Sequence, residues 1–322
     1  MDFSPGFIAQ VPQSGADLRW INVGIGLSFI VFDIGISSIF KLGLGMSLAI
    51  AALRCIGQLA LVATLLQTVF ETENIWLVSL IAFILNFLGT FETVVNKSPR
   101  RFQYMFPAVL VAMLGSTIPT SIIGTKYAMS AEKFWTPIQY IPIVGMLCGS
   151  TISGIVVAVS YILKEMVENR DKVEIYLAFG ATRMEACRPV IIEALRLSLT
   201  HPINNMSVLG IIAIPGMMTG AILGGADVQQ AAKLQMIIVF MITASTSLAA
   251  ILTTFSAILV VVDGEHRIRP DRIYDRKNGL QLLPGKRSLK SGFHWVVSGL
   301  RWCVGRFCGN GGEGPELRGL LD

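Results

Sequence analysis

Apolar positions along this chain do not stripe one face or alternate; they run on. Stretches of about 20 residues, each long enough to cross ~30 Å of hydrocarbon, are separated by short segments that hold most of the charge. Seven are placed at 20–40, 46–69, 75–95, 103–124, 138–163, 190–223 and 234–262. The sixth is long and interrupted by Pro202 and Pro215, so two pieces are allowed for. The pattern predicts an all-α, polytopic integral membrane protein of about seven transmembrane helices. Plasma membrane and endomembrane both fit. The domains read as a short extracytoplasmic N-terminus (1–19), a membrane domain (20–263) with a cytoplasmic loop at 164–189, and a basic cytoplasmic tail (264–322).

Composition agrees: 53% of the 322 residues are hydrophobic and 15% charged, where a soluble domain carries roughly a quarter charged. The first 17 residues hold Asp2 and Asp17 and no basic n-region, so the first helix is expected to direct insertion itself. Basic residues set the orientation. With the N-terminus outside, the inside loops hold Lys41; Lys97, Arg100 and Arg101; and Lys164, Arg170, Lys172, Arg183 and Arg188. The outside segments hold Arg19, Lys126, Lys133 and Lys233 among Glu71, Glu73, Glu132 and Asp227. The expectation is N-terminus outside, C-terminus cytoplasmic. The net charge of +5 belongs mostly to the tail, so no nucleic-acid partner is inferred.

Several chemistries are excluded or weak. The nearest approach to a phosphate-cradling loop is LPGKRS (283–288), where the Gly-Lys is followed by Arg287 and the upstream glycine is misplaced. No cofactor is therefore expected on this chain. A membrane serine hydrolase would need Ser153 as nucleophile and His201 as base, in a TISG context that has Thr151 where glycine is wanted. Of the cysteines, Cys55 and Cys148 lie in spans, Cys187 in an inside loop, and Cys303 and Cys308 in the tail, without zinc-ligand spacing and away from an oxidising exterior.

Polar groups at membrane depth are costly, and each is a functional hypothesis. Asp33, Arg54 and Glu92 fall within about two turns of one another in depth, with Gln58 one turn beyond Arg54 on the same face. A cluster of Asp33 and Glu92 around Arg54 is expected. Arg54 has three readings: a structural ion pair, a cavity-lining group, or a side chain snorkelling to the surface. Glu92 and Arg196, close to helix ends, read as snorkelling. Asn204 and Asn205 add polar groups to the sixth span.

Small residues form two ridges at spacing four: Gly145, Gly149 and Ser153 on span five, and Gly216, Gly220 and Gly224 on span six. Such ridges let helices approach closely, within a subunit or between subunits. Pro215 frees a backbone carbonyl beside the second ridge. Met217 and Met218 read as adaptable packing groups or as soft metal ligands; any metal site stays unknown.

The inside loop 164–189 is a compact polar island. It reads as a continuation of span five, a turn at Gly180, and a short helix that ends before Pro189. Thr182 and Glu185 make a capping box. Leu177, Phe179 and Met184 give the island an apolar side that wants a partner. A short helix held at the inside surface is what a separate motor domain would push against.

These segments carry a resemblance. LRCIGQL (53–59), IPIVGMLCG (141–149), LAFGATRMEACRPVIIEALR (177–196) and GIIAIPGMMTGAILGGADVQQAAKLQMIIVFM (210–241) resemble the membrane subunits of bacterial iron exporters and of plant aluminium-sensitivity and tolerance proteins. Glu174 and Gly180, spaced E-x5-G, are similar to the start of the coupling loop of ABC transporter permeases; the Ile-x-Leu-Pro of the importer pattern is not matched. The resemblance covers residues 20–262 and implies a permease driven by a separate ABC ATPase, which binds the ATP, with a second permease copy completing a homodimer. Glu174, Gly180, Ala181, Thr182, Arg183 and Glu185 would then couple to the motor. It implies an iron or a nucleotide-sugar cargo. A stand-alone channel or secondary carrier, or a membrane enzyme, are the alternatives. The tail lies outside the resemblance and reads as disordered, or as lying along an anionic membrane through Trp295, Trp302, Phe307, Lys290, Arg301 and Arg306.

Overall fold

The computed structural model describes residues 20–70, 74–130, 133, 135–263 and 267–275. Arg19, Glu71, Glu73, Glu132 and the tail from 276, with its cysteines and tryptophans, lie outside the described residues. Among the described residues the fold is nine α-helices and a two-stranded ribbon: α1 (Trp20–Ile39), α2 (Gly45–Phe70), α3 (Ile75–Phe91), β1 (Arg100–Phe102), α4 (Met105–Ile123), α5 (Pro137–Glu168), α6 (Arg170–Ala178), α7 (Arg183–Val208), α8 (Gly216–Leu223), α9 (Val228–Val261) and β2 (Ile273–Asp275). Two helices relax into π-turns at their ends, α3 over Glu92–Lys97 and α4 over Gly124–Ala128.

Among the described residues, five of the seven expected spans stand as helices long and apolar enough to cross a membrane: Trp20–Ile39, Ile75–Lys97, Met105–Ala128, Pro137–Glu168 and Val228–Val261. At 1.5 Å per residue, α5 and α9 are about 48 and 51 Å long, with 32 and 34 residues. Both therefore project past ~30 Å of hydrocarbon. The sixth span differs from the expectation. It is not one helix over 190–223: α7 starts at Arg183, runs through Pro189 and Pro202 and stops at Val208, and α8 begins anew at Gly216 with Pro215 as its N-cap. Pro202 does not divide the span; the break is at 209–215. The expected helix end before Pro189 is likewise corrected, because Val190, Ile191 and Ala194 are buried just beyond it and that packing carries the helix past the lost hydrogen bond.

At the centre α5 lies against α9, with α4 and α7 flanking α9 and α3 covering α5. Val109, Ile155, Val159, Ile162, Ala249 and Ile258 are fully buried there. Three pairs of polar groups in this core meet across helices. Thr117 Oγ1 donates to Asn86 Oδ1 at 2.7 Å, Ser121 and Tyr140 share a bond of 3.0 Å, and Thr151 and Ser245 one of 3.2 Å. That satisfies groups for which hydrocarbon offers no partner.

The small-residue contacts fall elsewhere than expected. A Cβ at Gly154 would overlap the Thr246 methyl, and one at Gly124 the Met241 side chain; at Gly89 it would sit 2.8 Å from Met113 Cε. Gly145, Gly149, Gly216 and Gly220 have nothing within 4 Å, and Gly224 meets only carbonyls of its own helix. The two predicted ridges are uncovered within the chain, and the close approaches use single glycines facing large side chains.

Candidate functional site: an island at one end of the bundle and a bidentate ion pair

Three of the segments that charge counting puts inside come together at one end of the bundle. β1 pairs antiparallel with β2, matching Arg101 to Tyr274 and burying Phe102 completely. Arg100 reaches Glu168 at the end of α5 at 3.5 Å. Arg101, 7% exposed, donates to the Val95 carbonyl at 2.8 Å. Past α9, Asp263 forms an ion pair with Arg269 at 3.3 Å and accepts from Arg272 Nη2 at 3.4 Å, and Arg272 also donates to Val260 O at 2.9 Å. Residues 267–275 thus fold back on the bundle and belong with the membrane body, not with a tail starting at 264. Strand pairing at that distance in sequence leaves no local signal; the Ile268, Ile273 and Tyr274 positions among basic residues were the trace of it.

The island sits on this end. α6 closes with the two bonds of a Schellman motif: Gly180 N–H to Leu177 O at 3.0 Å and Ala181 N–H to Tyr176 O at 3.1 Å. That geometry requires a left-handed residue, and Gly180 has φ +87°. Two residues on, Thr182 caps α7. Glu185 N–H donates to Thr182 Oγ1 at 3.4 Å, and Thr182 N–H donates to Glu185 Oε2 at 2.9 Å. The Thr182 hydroxyl, then its amide, hold the Glu185 carboxyl below the usual carboxylate range. Glu174 pairs with Arg170 one turn back at 2.5 Å, and Arg183 Nη1 donates to Val262 O at 3.4 Å, joining the island to α9. Ala181 is partly buried between the two helices.

One face of the island is sunk in the core through Val173, Leu177, Ala186 and Cys187. Leu177 and Met184, expected on the partner-seeking side, are committed to this inner face. The outer face is made by Phe179, 88% exposed, with Ile175 and Tyr176 at 55% and 53%. Phe179 stands where the sequence placed a partner-seeking apolar side; Ile175 and Tyr176 are the additions the fold makes to it.

Arg54 on α2 and Glu92 at the end of α3 form the expected pair. Arg54 Nη1 and Nη2 donate to the two Glu92 oxygens at 3.1 and 2.5 Å, a bidentate fork. Asn96 Nδ2 donates to Glu92 Oε2 at 2.6 Å from one turn on in the π-turn. Glu92 is therefore not snorkelling; it is held from two sides. Arg196 pairs with Glu193 on its own helix at 3.0 Å. Asp33 is exposed and outside the cluster, so depth agreed and direction did not. Gln58 is exposed one turn beyond Arg54. Asn205 meets His201 Nε2 at 3.2 Å on the same helix, while Asn204 is exposed. Met217 and Met218 are half-buried on α8. Among the described residues no group of three or more His, Cys, Asp and Glu side chains is placed to hold a metal ion. Cys55, Cys148 and Cys187 are free thiols.

Apolar helices of membrane length, hydroxyl pairs buried between them and a bidentate ion pair at membrane depth define a multi-pass integral membrane protein of all-α fold. The model of the uncharacterised protein family UPF0014 matches residues 20–260, and the chain belongs to that family. It is 29% identical over 240 residues to the UPF0014 membrane protein slr1647 of Synechocystis, covering 74% of this chain and 92% of that one. It is 24% identical over 247 residues to the probable iron export permease protein FetB of Escherichia coli, covering 77% and 93%. It is 28% identical over 199 residues to the protein ALUMINUM SENSITIVE 3 of Arabidopsis thaliana, covering 62% and 71%. No solved structure matches.

Proposed function

We propose that this chain is the membrane-spanning permease subunit of a transporter driven by a separate ATPase, with its N-terminus outside and its C-terminus in the cytoplasm. The observation that carries the reading is the island between α5 and α7. Its inner face is packed into the bundle, so a force on it moves α5, α7 and, through Arg183, α9. Its outer face presents Phe179, Tyr176 and Ile175 at the end of the molecule where the basic loops gather. Apolar knobs of this kind are desolvated by another protein. The chain's sequence offers no phosphate-cradling loop, so ATP is assigned to the partner.

The relative named as a probable iron export permease supports outward movement of a metal ion such as iron. A nucleotide-sugar cargo is the second candidate, for which Arg54 would supply the cationic contact. The uncovered ridges of α5 and α8 suit a second copy of the chain.

The test is purification of the tagged chain from its own cells in mild detergent. A soluble ATPase is expected at stoichiometric level and is expected to be lost in Phe179→Asp, with the permease still monodisperse. Absence of an ATPase from the unaltered chain across several detergents would favour a stand-alone carrier. An ATPase retained by Phe179→Asp would remove the island from the contact.

A further inference from the structure

The α1–α2 hairpin is the part of the fold least covered by protein; among its described residues Ser37 alone is buried. Between the facing ends of the two helices lies an open groove of about 510 Å³. Its lining is divided. Ile34, Met46 and Ala49 supply its apolar lining, and Ser37, Ser38 and Lys41 its polar lining near the turn. Ile34 and Ala49 lie ~7 Å back from the helix ends, one step deeper toward hydrocarbon than the polar lining.

The turn that shapes the polar lining is fixed by its own bonds. Leu42 N–H donates to Ser37 O at 2.9 Å, and Leu44 N–H to Ser37 Oγ at 3.1 Å. Lys41 and Gly43 take left-handed φ values of 53° and 70° to make this possible. Ser37 still has its own O–H to donate. Lys41 has no carboxylate partner among the described residues.

Water in the apolar half of such a groove is unfavourable, and hydrocarbon there is not. A cation flanked by two hydroxyls near the turn favours an anion with several acceptor oxygens. One occupant meets both demands. We infer that the hairpin binds an anionic phospholipid, with its phosphate on Lys41, Ser37 and Ser38 and an acyl chain along Ile34, Met46 and Ala49. A free phosphate satisfies the polar lining and leaves the apolar lining bare. A zwitterionic lipid covers the apolar lining and brings its own cation to Lys41.

The experiment is native mass spectrometry of the full chain in mild detergent, given phosphatidylglycerol and phosphatidylcholine with identical acyl chains in equal amount. Phosphatidylglycerol is expected to be retained in preference. Lys41→Gln is expected to cut its retention roughly fivefold, the effect of one interfacial cation, while Lys97→Gln, at another exposed basic position, leaves it unchanged. Ala49→Trp fills the apolar half with the charge intact and is expected to remove both lipids; it carries the test should Lys41→Gln fail to fold. Equal retention of the two lipids overturns the proposal, as does an equal loss in Lys97→Gln or undiminished retention in Ala49→Trp. Thermal protection by inorganic phosphate equal to that by phosphatidylglycerol would assign the polar lining to the free anion and overturn it too.

Discussion

At Gly180 the conformation of the island's turn can be altered without a new side-chain contact. The residue's φ is +87°, and a Cβ added there would meet nothing within 4 Å. A substitution therefore acts through backbone conformation alone, without a clash. An L-residue in the left-handed region costs about 1–2 kcal/mol, which multiplies the open population of the turn by about 5–30. Asparagine tolerates that region better than alanine does, so the order of damage should be Gly180→Asn, then Gly180→Ala, then Gly180→Val. The assay is hydrogen exchange on the purified chain, reading the amides of 176–186. Gly180 and Ala181, whose bonds close the Schellman motif, should lose protection first. The melting point of the whole chain should move little, because Val173, Leu177, Ala186 and Cys187 stay anchored in the core. Equal protection for Gly180→Ala and the unaltered chain would show that the turn does not hold the island. Transport lost with protection unchanged would refute the link between the turn's rigidity and coupling.

Other consequences follow from the same geometry. Arg54→Ala should lower the melting point more than Arg54→Lys, and the double variant Arg54→Ala with Glu92→Gln should recover part of the loss; a double variant as unstable as the sum of the singles would mean that the two side chains do not interact. Gly154→Val should cost about 1–3 kcal/mol by overpacking against Thr246, whereas Gly145→Ala, where the added methyl meets open space, should leave the melting point of the isolated chain unchanged. The depressed Glu185 carboxyl gives a signed pH effect. Its contribution to the α7 cap is complete above the unfolded carboxylate range of about 4.3 and is lost as pH falls through the lower folded value. Protection at the start of α7, corrected for intrinsic exchange, should therefore fall on acidification in the unaltered chain and not in Glu185→Gln; an unchanged acid limb in Glu185→Gln would remove the capping argument.

What the sequence made legible was local or one-dimensional. Continuous apolar runs located five membrane-length helices among the described residues, because each helix needs its length in its own residues. The turn at Gly180 and the cap at Thr182 and Glu185 were readable because each motif closes within five residues. Arg54 and Glu92 were brought together by counting depth along two helices. Depth alone also put Asp33 in the cluster, and there it failed, since the rotation of a helix about its axis is set by tertiary packing. The same rotation decided which glycines meet a neighbour: Gly154 faces Thr246 and Gly124 faces Met241, and neither belongs to a visible ridge. The return of residues 267–275 onto β1 was hidden for a related reason, since its partner lies far away in the chain. Pro189 misled as a helix stop because burial on both sides of it outweighs one missing backbone bond.

The mismatch between visible ridges and closed contacts bears on function. Gly149, Ser153, Gln58, Asn204 and Asn205 are all exposed in the single chain. Exposed amides and hydroxyls facing lipid are unfavourable even where, as at Asn205 and Ser153, one bond is made within the same helix, so these positions should face a second copy or a wet path in the working protein. Single cysteines at Ser153 and Asn205, in a background with the native cysteines replaced, separate these surfaces from lipid. A water-soluble thiol reagent should modify them, or an oxidant should cross-link two chains through them, while a cysteine at the exposed apolar Phe83 does neither. Labelling would locate the wet path, and cross-linking the second copy. Ser153 and Asn205 as inert as Phe83 would place them in lipid, and the uncovered ridge would then belong to neither.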